Sequence, residues 1–138
     1  ADKNTPEIDR TFAEDLLSAV GKTTWVTNED QMHAVTAASG SSPAYFFQFL
    51  EAMQQGLIEM GLDEKQSREL VQQAMLGSAK LVIENPQTAL STLRENVTSK
   101  GGTTAAALNM FNQHQFNDII KQAMQACVAR SQEMEKLF

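Results

Sequence analysis

The spacing of the apolar residues constrains this chain more than any other feature. From Glu29 onward they recur every three or four positions, and no segment alternates with the period of two that a half-buried sheet needs. Ser42 to Gly61 carries Phe46, Leu50, Met53, Leu57 and Met60 in a 4-3-4-3 stripe. The next segment, from Asp63, carries two stripes: Leu70, Ala74, Gly77 and Leu81 on one, and Val71, Met75, Ala79 and Val82 on the other. A helix with two apolar stripes is covered on more than one side. The expected fold class is therefore all-α, a helical bundle whose surplus apolar faces are met by a second copy, since a symmetric dimer is the commonest way to cover such faces. The alternative is one compact bundle that satisfies every stripe internally.

Punctuation along the chain gives the helix limits. Thr5-Pro6-Glu7 reads as a start, with a capping hydroxyl, proline at the first helical position and an acid at the positive end. Ile8, Phe12, Leu16 and Val20 follow, and Gly21 ends that helix. Thr23 to Thr27 is β-branched and aromatic and reads as one short strand, which is unstable without a sheet. Asn28 or Asp30 caps a helix to about Ala38. Ser39-Gly40-Ser41-Ser42 breaks it, and Ser42 caps the next helix with Pro43 at its first position. Asp63 caps a helix after Gly61, and Asn85-Pro86 restarts a shorter one through Leu90, Leu93 and Val97. Ser99 to Gly102 breaks the path again. Thr103 opens a helix to about Phe111, and the last begins near Phe116.

Charge and cysteine usage exclude several classes. Eleven basic residues stand against 17 acidic, a net charge of −6, so there is no basic patch for nucleic acid. No apolar run is long enough to span a membrane. Ala1 to Arg10 carry five charges and no apolar block, so no signal peptide is expected. The lone cysteine, Cys127, reads as a small core residue in a reducing cytoplasm. His33 reads as a helix-surface residue and His114 as a loop residue; with one cysteine and no H-E-x-x-H there is no metal site to expect. No G-x-G-x-x-G, P-loop or nucleophile elbow is present.

One segment has the composition of a binding site: Val97-Thr98-Ser99-Lys100-Gly101-Gly102-Thr103-Thr104. Glycines directly before a helix let a ligand approach the backbone. The first N–H groups of the helix lack internal partners and lie at its positive end, where an anion is stabilised. The alternative is an ordinary loop with Thr103 or Thr104 as the cap.

Val35-Thr36-Ala37-Ala38-Ser39-Gly40-Ser41-Ser42-Pro43-Ala44-Tyr45 resembles the V-T-A-x-S-G-S-G-P-A-Y signature of the pyrroline-5-carboxylate reductases. Val97 to Thr104 resembles their second signature, V-T-S-P-G-G-T-T, and Leu76 to Lys80 and the final helix also resemble the family pattern. The family reduces Δ1-pyrroline-5-carboxylate to L-proline with NADPH or NADH, using an N-terminal Rossmann domain and a C-terminal helical domain that interlocks into a dimer, in many members within larger assemblies. The resemblance implies that residues 1–29 are the last helix and strand of the Rossmann domain and that 30–138 form the helical dimerisation and substrate domain. It implies a cofactor loop upstream of Ala1, with no cofactor held by this segment alone. The missing initiator methionine is read the same way, as a piece of a longer protein. The resemblance further implies that Ser99, Gly101, Gly102, Thr103 and Thr104 hold the substrate carboxylate, with Thr104 near the ring nitrogen. Two rival readings are a helical self-association module and the helical domain of a related imine or keto-acid reductase. Two residues depart from the pattern: Ser42 replaces glycine and is expected to act as a cap, while Lys100 replaces proline, loosening the loop and adding a positive charge.

Overall fold

The structure, a computed structural model, describes residues 5–137. The chain divides into two units, Ala1–Met32 and His33–Phe138.

In the first unit α1 spans Glu7–Ser18, with Glu7 and Asp9 in its first turn. Pro6 stands at the cap itself, with φ −55° and ψ 145°, and no side chain caps the helix. The expected Thr5 cap is not made. The extended conformation open to proline already suits the cap, and its carbonyl accepts from Asp9 and Arg10 N–H at 3.1 and 3.2 Å. The expected strand at Thr23–Thr27 is also absent: no strand exists among the described residues, and a ladder cannot form without a partner. Instead the Trp25 indole N–H donates to Glu14 Oε2 at 3.1 Å, and the Arg10 guanidinium lies 4.8 Å from the centre of the Trp25 ring. The apolar stripe of α1 stays open, with Ile8 77%, Phe12 68%, Leu16 63% and Val20 87% exposed.

Asn28 Oδ1 accepts from the Gln31 N–H at 3.1 Å, so Asn28 rather than Asp30 is the cap of α2, Gln31–Val35. The Ser-Gly-Ser-Ser run does not break the path beyond it. A π turn at Thr36–Gly40 inserts one extra residue, closed by Ser41 N–H to the Thr36 carbonyl at 2.9 Å. The wide turn frees carbonyls, and serine hydroxyls take them: Ser39 Oγ donates to Val35 O at 2.9 Å and Ser42 Oγ to Ala38 O at 2.8 Å. Ser42 is thus the first residue of α3, Ser42–Glu59, and not its cap.

Helix α3 ends as glycine placement predicts. Gly61 adopts φ +99°, its N–H reaches the Ile58 carbonyl at 2.9 Å, and Leu62 N–H reaches Leu57 O at 3.1 Å, a Schellman closure. Asp63 caps α4, Glu64–Glu84, accepting from Gln66 N–H at 2.8 Å. Two further short elements follow, α5 at Leu90–Asn96 and α6 at Thr103–Gln113, and then α7 at Phe116–Glu135. Gln115, at φ +54°, makes the sharp corner between α6 and α7.

Helix α3 packs along α4, α7 against the π turn, and α6 against α7. Phe49, Phe111 and Phe116 join three of these helices, with ring centres 5.1 Å apart for Phe111–Phe116 and 6.4 Å for each pair with Phe49. The core is otherwise slight: among the described residues only Ala37, Val71 and Ser67 are fully buried, while Phe46, Phe47, Leu70 and Leu81 are exposed. The fold is all-helical, and it leaves open much of the apolar surface that its helices carry.

Candidate functional site

The Val97–Thr104 segment is built by three consecutive devices. First, the end of α5 is closed locally. Thr98 Oγ1 donates to the Arg94 carbonyl at 2.6 Å, and Thr98 N–H to Glu95 O at 2.9 Å. Second, Ser99 to Gly102 forms a reverse turn, closed by Gly102 N–H to Ser99 O at 3.0 Å. Gly101 has φ +72°, while Lys100 is not among the positive-φ residues, so this is a type II turn with Lys100 and Gly101 at its two central positions. Third, Gly102 becomes the cap of α6 in an extended conformation, φ −81° and ψ 177°.

Both glycines answer a specific demand. Gly101 occupies a left-handed conformation that other residues adopt at a cost. At Gly102 the problem is space. A Cβ there would collide with Ser99 Oγ and lie 3.2 Å from the Ser99 carbonyl oxygen.

No side chain caps α6, and its first helical bond runs from Ala106 N–H to Gly102 O at 3.1 Å. The N–H groups of Thr103, Thr104 and Ala105 therefore precede the intrahelical ladder and point out of the helix at its positive end. Thr103 and Thr104 occupy the first turn and are not its caps. Ser99, Gly101, Thr103 and Thr104 are exposed and Gly102 is half-buried, all within one short stretch of chain. Such an arrangement can bind a small anion through backbone N–H groups and hydroxyls. A cleft of about 460 Å³ opens beside it, between α5 and α6, lined by Arg94, Thr98, Ala105 and Asn109 among others. Among the described residues no group of three or more His, Cys, Asp or Glu side chains is placed to hold a metal.

Two polar clusters were not visible from spacing. Cys127 Sγ lies 3.3 Å from Ser41 Oγ, joining α7 to the start of α3, and the Tyr45 hydroxyl shares the contact. The Ser41 hydroxyl, and after it Tyr45, hold the Cys127 thiol below its ordinary value of 9.0. The hydrogen bond with Cys127, and then burial, raise Tyr45 above 10.0. Cys127 is thus half-buried and hydrogen-bonded, not a simple core filler. His33, expected on the surface, has a side chain only 12% exposed. Its Nδ1 lies 2.9 Å from Ser131 Oγ and its Nε2 3.5 Å from Glu135 Oε2, on α7. Partners some hundred residues away leave no local sequence signal.

The sequence matches, over residues 29–134, the family described as pyrroline-5-carboxylate reductase dimerisation. A pyrroline-5-carboxylate reductase of Haemophilus influenzae is 73% identical over all of this chain and 51% of its own length. One of Pasteurella multocida is 68% identical over 92% of this chain and 46% of its own. Among solved structures, a pyrroline-5-carboxylate reductase from Coxiella burnetii superposes with a TM-score of 0.91 at 34% identity, covering 96% of this chain and 49% of that one. The Plasmodium falciparum pyrroline carboxylate reductase with NADP bound superposes at 0.84 with 28% identity, covering 96% of this chain and 50% of that one. The chain spans about half the length of the curated relatives it matches.

Proposed function

The chain belongs to the pyrroline-5-carboxylate reductase family, through its dimerisation region, and on that premise we propose that it is the helical half of an enzyme reducing Δ1-pyrroline-5-carboxylate to L-proline with NADPH or NADH. The supporting observation is the capless N-terminus of α6 behind the Ser99–Gly102 turn. In this reading the Thr103 and Thr104 N–H groups and the Ser99 hydroxyl hold the substrate carboxylate, and Gly101 and Gly102 let it approach the backbone. Thr104 lies near the ring nitrogen. A threonine hydroxyl is a poor acid, so its role is to orient the imine and pass a proton from water rather than to serve as a tuned general acid. The nicotinamide supplies the hydride, and this domain contributes position.

Residues 1–29 are, in the same reading, the end of the nucleotide-binding domain, and 30–138 form the dimerisation and substrate domain. The uncovered stripe of α1 and the Thr23–Thr27 segment without a strand partner support this division, because both call for neighbours that the described residues do not supply. The open apolar faces of α3 and α4 support a homodimer, with dimers able to assemble further. No helix among the described residues is long and apolar enough to cross a membrane. The unpaired Cys127 fits a reducing cytoplasm. A self-association module describes what the isolated helical segment retains once the cofactor domain is absent.

Thr104→Val in the intact two-domain enzyme tests the site. The hydroxyl is lost with little change in volume. The expected result is a fall in kcat/KM of about tenfold or more, the usual weight of one positioned transition-state contact. An unchanged ratio would remove Thr104 from the reaction.

A further inference from the structure

The residue in the α6 turn that departs from the family pattern has a definite place in the structure. Lys100 occupies the first central position of the type II turn, the corner that proline suits because its fixed φ matches the turn. The turn forms without proline, since Gly101 supplies the positive φ and Gly102 N–H closes the hydrogen bond. Stiffness at that corner is therefore replaced by charge. Lys100 is exposed and makes no ion pair among the described residues; the nearest charged pair along the chain, Arg94 with Glu95 at 3.9 Å, is already matched. The ammonium stands only three residues before the unpartnered Thr103 N–H, on a chain whose net charge of −6 otherwise repels an anion.

We propose that Lys100 is a specificity-determining residue of this site: its ammonium draws the small carboxylate substrate to the α6 terminus and sets KM through a salt-screened attraction. This rests on the carboxylate-seat reading above. An exposed charge on the turn that leads into the seat acts through a nearly aqueous dielectric, so the effect is a modest one on capture, and little of it falls on the chemical step. Screening then becomes a signature. The Debye length is roughly 30 Å at 0.01 M salt and roughly 8 Å at 0.15 M, so the attraction fades as salt rises.

The experiment uses the intact two-domain enzyme, with pyrroline-5-carboxylate titrated at saturating NADPH in low and high salt. Four variants are compared: Lys100→Gln, Lys100→Pro, Lys100→Arg and Gly102→Ala. Expected at low salt is a KM about three- to tenfold higher for both Lys100→Gln and Lys100→Pro, with most of the change in KM rather than kcat. The gap narrows at high salt, and Lys100→Arg stays near the parent. If Lys100→Gln leaves KM unchanged, or if its effect ignores salt, the charge has no such role. If Lys100→Pro lowers KM while Lys100→Gln does nothing, the residue acts through loop stiffness alone and the proposal is overturned. Gly102→Ala separates the two levels. A raised KM there with an indifferent Lys100→Gln keeps the seat and sinks the lysine, whereas no effect at Gly102 sinks the seat and this inference with it.

Discussion

Replacing Gly101 with alanine should change the turn without unfolding the protein. Gly101 stands at φ +72°, and a Cβ built there meets nothing within 4 Å. The cost is therefore conformational rather than steric. Holding a non-glycine residue in the left-handed region costs about 1–2 kcal/mol. The chain can escape that cost by flipping the Lys100–Gly101 peptide, which turns a type II turn into a type I turn. That flip takes the second central residue to φ near about −90° and can retain the closing hydrogen bond. A penalty of about 1–2 kcal/mol therefore appears as a shift in turn population of about five- to thirtyfold, since about 1.4 kcal/mol is a factor of ten. If only the type II form presents the seat, apparent substrate affinity falls with the fraction of that form, by at most the same factor. The assay is KM for pyrroline-5-carboxylate in the intact enzyme, paired with Tm at fixed protein concentration. KM should rise for Gly101→Ala, with that factor as the ceiling, and Tm should move by less than about 4 °C because the flip bypasses most of the strain. Gly101→Asn should recover part of the loss, as asparagine tolerates the left-handed region better than alanine. An unchanged KM in Gly101→Ala, or an asparagine variant no better than alanine, would refute the reasoning.

Two further outcomes are expected. Because hydrogen bonding with Ser41, and then with Tyr45, lowers the Cys127 thiol from 9.0, the folded thiol ionises at lower pH than the unfolded one. Cys127 thus adds stability above the unfolded value that is lost as pH falls through the folded one. The midpoint of its alkylation rate against pH should lie lower in the native protein than in denaturant, and Ser41→Ala should move it back up; coincident midpoints would dismiss the contact. In solution, light scattering on this chain should report a species near twice 15.2 kDa across dilution, and a clean monomer would mean that the open helix faces do not pair by themselves.

Much of the helix plan could be read from residues whose consequences are local. Asp63 caps α4 through its own side chain, and Gly61 ends α3 by taking a conformation few other residues accept. The starts of α6 and α7 followed from the Gly-Gly pair and from Phe116. What escaped depends on alternatives that look alike in sequence. Ser39-Gly40-Ser41-Ser42 has the composition of a break. The Ser41 N–H to Thr36 carbonyl bond shows that the helical path continues through a π turn, and the Ser39 and Ser42 hydroxyls donate to carbonyls four residues earlier. Thr23 to Thr27 has the composition of a strand, but strand composition is a request for a neighbour, and none is present among the described residues. In the Val97–Thr104 segment, composition alone favours an ordinary loop with a threonine cap over an anion seat. The backbone gives the cap position to Gly102 and places both threonines inside the first turn.

The two stripes of α4 show how a pattern carried the architecture further than any single motif. Val71 is 2% exposed and Met75 half-buried, and with Ala79 they line the cleft that α4 shares with α3, so one of the two stripes is partly covered within the chain, though Val82 at its end is 43% exposed. Leu70 and Leu81, on the other stripe, are 55% and 49% exposed. A helix face of that kind is stabilised only when its apolar area leaves water, at roughly 25 cal/mol per Å². Among the described residues no second layer covers it. Under the proposed function a dimer bears on substrate binding as well as on assembly. The Ser99–Gly102 turn and the first turn of α6 stand on a short helix that packs on α7 and reaches α3 through Phe111 and Phe49, and pairing of the larger helices would steady α3 and α7 against it. In the proposed reading, substrate positioning at Thr104 depends on association as well as on the residues of the seat, and dilution that separates the chains is expected to weaken substrate binding before it unfolds α6.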